Sequence, residues 1–443
     1  MTTGAKIGIV VAIAVVGVLV IGVVLTGAGA LFWMGNQAQN QQQTAREAVM
    51  ARTQAEAARV ARARTAFARA EAAESAPADP PAAAPTAAAP TAEKPAEAAA
   101  PDASKAALAK QRDQAIARGV AYLITQQAEN GAWGDGNVGI TTLCADALLE
   151  TGKTIKDEPV RKAVDFIVKY QQDDGGIYDQ GLRTYTTSLA LMVLARADPK
   201  THAAAIEKAK AYLIEHQWDE PESIDQGNPW YGGHGYGEHQ RPDLSNTQYF
   251  VEAMHEAGVP KDHPLWDKVV VFVSRSQDRT ESNDGVFVGT DSGGMVYSPN
   301  AGGESKAGTV DLPDGRKGLK AYGSMTYAGF KSFIYAHLDR DDPRVQAALD
   351  WIRRHWTFEE NPELGQQGLY YYYHTVAKAL AAWGEDTITD ARRREHNWKA
   401  ELVQAIARRQ KTDGSWVNEA DRWFEGYPPV PTSYAVIALA QCR

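Results

Sequence analysis

Four consecutive tyrosines lead into a histidine and a threonine at Tyr370-Tyr371-Tyr372-Tyr373-His374-Thr375. An imidazole exchanges protons near neutral pH, and a phenol donates a hydrogen bond to developing charge. Arg183 and Asp421 are charged residues in loops that can reach the same place. His374, Tyr373, Arg183 and Asp421 are therefore the candidate catalytic groups. Tyr178, Tyr185, Trp230, His234, Tyr236, His239, Tyr370, Trp416 and Trp423 are the candidate ligand-binding residues. His234 and His239 could each offer a nitrogen to a metal, but their spacing lies in a Gly-rich loop and fixes no geometry. Asp284, Asp291 and Asp311 lack the regular spacing of a calcium loop. No metal and no cofactor is expected. The two cysteines, Cys144 and Cys442, are too few for a disulfide framework or a four-cysteine zinc site.

The elements that must position these residues follow one recurring phrase. A helix ends near a Gln or an aromatic, a short turn with Gly and an aromatic follows, and an apolar helix begins. The clearest copies are Gln127…Gly131-Ala132-Trp133, Gln410…Gly414-Ser415-Trp416 and Gln172…Gly176-Ile177-Tyr178. Weaker copies run through Gln277…Gly285-Val286-Phe287, Trp356…Gly368-Leu369-Tyr370 and Gln217…Trp230-Tyr231-Gly232. A repeat of helix pairs is a statement about the whole fold.

Amphipathic outer helices are predicted near Lys105–Gln127, Glu158–Gln171, Thr201–Gln217, Pro264–Gln277, Pro343–Trp356 and His396–Arg409. Inner helices with little charge alternate with them, near Thr141–Thr151, Thr184–Ala195, Ser245–Ala257, Ser324–Leu338, Tyr370–Trp383 and Pro431–Gln441. Asp157-Glu158-Pro159, Asp262-His263-Pro264 and Asp342-Pro343 read as Asp caps before outer helices. The fold class is all-α: an (α/α)6 toroid of six outer and six inner helices over residues 105–443. The inner helices then run parallel, and their starts gather at one mouth, where a ligand site is expected. The Gly- and Ser-rich stretch Arg279–Ala321 precedes the fourth inner helix and is expected to lie over that mouth. Parallel inner helices also put Cys144 and Cys442 at opposite ends, so no disulfide is expected.

The Gln-x-x-x-Gly-x-Trp phrase and the helix-pair alternation resemble the squalene/hopene cyclases and the β subunits of protein prenyltransferases, from about Ala106 to the C-terminus. The resemblance implies the toroid; it does not fix the reaction. The cyclases use an Asp-x-Asp-Asp acid. Asp339-Arg340-Asp341-Asp342 matches the letters but sits before Pro343, in a connection that caps an outer helix. The prenyltransferases hold zinc with an Asp-x-Cys pair and a His in a Tyr-His-Thr setting. Tyr373-His374-Thr375 resembles the latter, while Gly323-Ser324-Met325-Thr326 offers no Asp or Cys at the partner position. A related toroid forms a thioester through a Cys that Gly365-Gln366-Gln367-Gly368 lacks.

Ahead of the toroid, residues 1–6 form a cytoplasmic N-terminus and residues 7–33 a transmembrane helix, since Ile7 to Leu25 is unbroken apolar sequence and no charge falls between Lys6 and Arg46. Residues 34–75 are an Ala/Arg/Glu-rich, partly helical stalk, and residues 76–104 a disordered Ala/Pro-rich linker. Lys6 before the span and the uncharged Gly35–Ala45 after it place the globular part outside the cytoplasm. The partners expected are the membrane, through the N-terminal helix, and a small-molecule, glycan or peptide ligand. The net charge of −9 speaks against nucleic acid. Two functions fit: an enzyme on an apolar or polymeric ligand, or a non-catalytic binding module at the cell envelope.

Overall fold

A computed structural model of the chain describes residues 101–443, apart from 238 and 239. The expected membrane helix and stalk lie outside the described residues, as does His239. Among the described residues no helix is long and apolar enough to cross a membrane.

Among the described residues, twelve α-helices of ten residues or more alternate as the sequence pattern requires. The odd-numbered ones are α1 (Pro101–Gln126), α3 (Glu158–Ile167), α5 (Ala203–Glu215), α7 (Leu265–Arg275), α9 (Pro343–Arg354) and α11 (Trp398–Ala407). The even-numbered ones are α2 (Val138–Glu150), α4 (Arg183–Ala197), α6 (Leu244–Glu256), α8 (Gly323–Tyr335), α10 (Leu369–Trp383) and α12 (Pro429–Ala440). Among the described residues helix α1 already includes Pro101, ahead of Lys105. Each even helix packs on the next, and α12 packs back on α2, so six helices close a ring. The odd helices lie outside it, and α11 meets α1 to close the outer layer. Residues of the inner helices are buried almost throughout, as expected of helices surrounded by protein.

The repeated phrase is the fastener between neighbours. The Gln127 side-chain amide donates to Gly131 O at 2.9 Å in its own loop and to Pro159 O at 2.8 Å at the start of the next outer helix. Gln217 repeats this with Gly232 O and Leu265 O, at 3.0 and 3.3 Å. Gln410 donates to Gly414 O and, at 2.9 Å, to Ala115 O, which ties the last repeat to the first. The third copy is shifted by one residue from the sequence reading: Gln171 and Gly175 make the bonds, not Gln172 and Gly176. In the fourth, Gln277 uses Gly293 rather than Gly285, because the stretch between is an excursion. A second repeated bond went unread. Thr141, Thr187, Thr247, Thr326 and Thr432, each in the first turns of an inner helix, accept a backbone N–H from the preceding loop at 3.0 Å. In α10 this place is taken by Tyr372, whose hydroxyl reaches Thr357 O.

Two corrections to the all-α expectation arise in the connections. β1 (Thr309–Asp311) pairs antiparallel with β2 (Lys317–Leu319), and β3 (Thr387–Thr389) with β4 (Glu395–Asn397). Both are short hairpins on excursions from the ring, so they leave the helical layers intact. Of the three expected Asp caps, Asp342 accepts from Arg344 N at 2.9 Å. Asp157 instead turns back to Thr154 N, and at α7 it is His263 Nδ1 that accepts from Leu265 N. Cys144 and Cys442 are both free and buried.

Candidate functional site

The direction of the inner helices decides what the two ends of the ring present. One hollow is lined by Gly139, Tyr185, Ser245, Ser324, Tyr371 and Val430, which lie in the first turns of α2, α4, α6, α8, α10 and α12. At the other end, Glu150, Arg196, Glu256, Tyr335, Ala382 and Gln441 lie at or near the last turns of the same helices. The six helices are therefore parallel, with their N-termini at one mouth.

That mouth holds a cavity of about 120 Å³ walled by rings: Tyr185, Tyr236, Tyr249, Tyr297, Tyr322, Tyr371, Tyr434, Trp423 and Phe424. Ile140, Leu143, Leu182, Met325 and Val430 fill the gaps between them. Phenol hydroxyls from different inner helices meet there at the long end of hydrogen bonding. Tyr185 OH lies 3.5 Å from Tyr434 OH, and Tyr371 OH lies 3.2 Å from Ser245 Oγ and 3.3 Å from Gln248 Nε2. Burial pushes the phenols of Tyr185, Tyr249 and Tyr434 above their ordinary pKa, so they stay neutral.

The excursion and the final loop complete the wall. Residues 279–321 contribute Tyr297, as expected of a stretch lying over the mouth, and Tyr322 follows directly. Trp423 and Phe424 stand in succession at φ +58° and +68°. Bulky residues there store about 1–3 kcal/mol of strain each, held by surrounding bonds. Glu425 supplies two of them: its carboxylate accepts from Tyr371 N and from Asn418 Nδ2, both at 2.7 Å. Burial raises the Glu425 carboxyl to about 7, against the lowering effect of these hydrogen bonds.

His374 lies beneath the cavity, its ring 5.3 Å from that of Tyr434 and 6.1 Å from that of Tyr249. It is buried and its Nδ1 makes no hydrogen bond. Burial lowers it to about 3, against the pull of Glu252, so it is neutral. One turn deeper the ring interior changes character. Glu252 binds both Lys331 and Lys378, the latter at 3.0 Å. Lys378 reaches Glu150 at 2.5 Å, and Arg196 binds Asp146, Glu256 and, at 2.8 Å, Glu150. Four carboxylates thus face three cations. Burial raises Asp146 to about 7 despite Arg196 and Lys378. Burial works to raise Glu252 as well, but the two lysines outweigh it and hold the carboxyl well below its ordinary value.

The ring brings only part of the expected set together. Tyr185, Tyr236 and Trp423 line the cavity, and His374 underlies it. Tyr373 points to the outer layer, where its hydroxyl donates to Phe358 O at 2.7 Å, and Tyr370 packs edge-on against it. Trp416 is buried in the repeat, bonded to Ile406 O at 2.8 Å. Tyr178 bonds Asp174 and carries Arg183 over its ring at 4.8 Å. Trp230 bonds Asn300 at 2.7 Å, His234 packs on Phe250, and Asp421 is exposed. Tyr249 and Tyr434, with the charged network below them, were not singled out in the sequence, and Tyr371 was named only as part of the tyrosine run. The threonine register points to them: two positions past Thr247 and Thr432 stand Tyr249 and Tyr434, and two past Tyr372 stands His374.

His234 gives a test of this burial. Burial lowers it to about 3, below the 6.5 of an exposed imidazole. Its contribution to stability is therefore present above about pH 6.5 and lost as the pH falls toward 3. His234→Phe should gain about 2 kcal/mol relative to the parent at pH 5 compared with pH 8. Thermal unfolding at the two pH values reads this, and an offset that does not change with pH contradicts it.

No protein-family model matches the chain, and no curated protein does. Solved structures of the type II terpene cyclase MstE from Scytonema are similar to it. A variant in complex with geranylgeranyl dihydroxybenzoate (substrate) is 13% identical, with a TM-score of 0.48, over 76% of this chain and 99% of that one. A variant in complex with merosterolic acid A (product) is 13% identical, with a TM-score of 0.49, over 76% and 98%. The apo form is 13% identical, with a TM-score of 0.47, over 75% and 98%. These are terpene cyclases, the kind of protein the repeat resembles. Likeness at that level transfers no residue and no substrate. The closed ring stands on its own helix contacts.

Proposed function

We propose that this chain is a binding protein whose ring mouth holds an apolar group of a small ligand. The observation that carries the reading is the lining of the axial cavity. Among the described residues, no carboxylate, imidazole or amine lines it, and burial holds the phenols of Tyr185, Tyr249 and Tyr434 neutral. Apolar and aromatic walls favour an uncharged guest. A volume of about 120 Å³ suits a guest near the size of one benzene ring, by comparison with the cavity of about 150 Å³ that holds benzene in an engineered core. Phenols pushed above their ordinary pKa, as those of Tyr185, Tyr249 and Tyr434 are, make poor proton donors, which is why binding is preferred to an enzyme on a large apolar or polymeric substrate. The run Ile7–Met34 and the Ala/Pro-rich stretch after it support a single-pass anchor that displays the ring outside the cytoplasm.

Titration of the full chain in nanodiscs with p-xylene, followed by intrinsic fluorescence, tests this. Saturable binding is expected, and Val430→Trp, which fills the cavity, should weaken it at least tenfold. Absence of saturable binding, or binding indifferent to Val430→Trp, overturns the reading.

A further inference from the structure

The final loop runs from Trp416, buried in the repeat, to the start of α12. Trp416 N donates to Thr432 Oγ1 at 3.0 Å, so the two ends of the loop are pinned close together. Residues 417–428 lie between them, and Trp423 and Phe424 line the cavity from there. A compact loop with joined ends is a common carrier of function and can move as a unit. Two features make its closed form tense. Trp423 and Phe424 stand at φ +58° and +68°, where a side chain is strained. Glu425 is fully buried, and its carboxylate meets hydrogen-bond donors with no ion pair among the described residues. A buried carboxylate without a cation is costly. Both tensions are relieved when the loop lifts. Against them stands one seam. Glu425 accepts from Tyr371 N at 2.7 Å, Asn418 Nδ2 donates to Gln366 O at 2.7 Å, and Arg422 donates to Gln367 Oε1 at 2.8 Å. All three bonds reach the single stretch 366–371.

We propose that residues 417–428 are a gate: a guest enters and leaves the mouth cavity when this loop lifts off the 366–371 seam, and Glu425 is the latch. This rests on the binding reading above and adds how access to the same cavity is controlled. The six inner helices are packed into a closed ring, so the connections at the mouth are the parts that can yield. The latch holds by placing a carboxylate at the N-terminus of α10, where the first backbone N–H groups have no partner within the helix.

The test closes the gate covalently. Arg422 and Gln367 face each other across the seam, and neither lines the cavity. Arg422→Cys with Gln367→Cys, made in the full chain in nanodiscs, is bridged by a short bismaleimide. Cys144 and Cys442 are buried and escape the reagent. Stopped-flow fluorescence with p-xylene then compares the bridged and unbridged forms of this one variant. Bridging should slow both uptake and release by about tenfold or more while the Kd stays within about threefold, as expected of a gate that controls passage and not the bound state. Equal rates in the two forms overturn the gate and leave the binding reading standing. Failure of the parent protein to bind p-xylene overturns both. Glu425→Ala removes the latch and tests the opposite sign: uptake and release should be about tenfold faster than in the parent. Unchanged or slower rates overturn the gate. The two variants are independent, so if one misfolds the other still decides.

Discussion

Lys331→Met should destabilise the ring by about 3–5 kcal/mol, because it strips a buried carboxylate of its partner. Lys331 and Glu252 are both buried on neighbouring inner helices α8 and α6, and they bond directly. Lys378 remains at 3.0 Å from Glu252, but it is shared with Glu150 at 2.5 Å and cannot replace the lost cation in full. The network is coupled, so neutralising the orphan should recover much of the loss. Lys331→Met with Glu252→Gln is expected to be less destabilised than the sum of the single variants by about 2 kcal/mol or more. Chemical denaturation of the four proteins measures the cycle. Additive losses would mean that the two groups do not act as a pair.

Gly232→Ala is expected to cost about 3 kcal/mol or more. Gly232 holds φ +84°, and a Cβ there would meet Lys268 O of the next outer helix at 1.8 Å. Its own carbonyl takes the Gln217 amide that also binds Leu265, so the backbone cannot retreat without opening the joint between repeats. Gly136→Ala separates strain from clash. It has a similar φ of +88° with nothing near the added carbon, and should cost only about 1–2 kcal/mol. Equal losses at the two positions would show that the close approach at the joint carries no weight.

The ring was legible because its fastener is local. A Gln, a Gly and an aromatic within one short loop report a joint between neighbouring pairs, and the joints count the repeats. The reading slipped where the loop could be aligned two ways, at Gln171–Gln172, and where an excursion offered a decoy, Gly285 ahead of Gly293. The hairpins at 309–319 and 387–397 went unseen because three-residue strands carry no periodicity to read.

The site was legible only in part, for a reason of geometry. Tyr185, Tyr236 and Trp423 lie in the mouth loops or the first turn and were found by that rule. Trp416 obeyed the same rule yet serves the joint, since its indole bonds the preceding outer helix at Ile406 O. Tyr249 and Tyr434 stand deeper within apolar helices, where one tyrosine looks like any core residue until the ring sets them side by side. The charged floor is the extreme case. Asp146, Glu252, Lys331 and Lys378 come from four helices, and only closure makes them neighbours.

The central claim is that the N-terminal mouth of the inner ring encloses an apolar cavity open to a guest. Xenon pressurisation of crystals of the protein tests it most directly, since dry apolar cavities take up xenon. Electron density for xenon among Tyr185, Tyr249, Tyr371 and Tyr434 is the predicted result. Xenon bound elsewhere, with that space empty or filled by side chains, would contradict it.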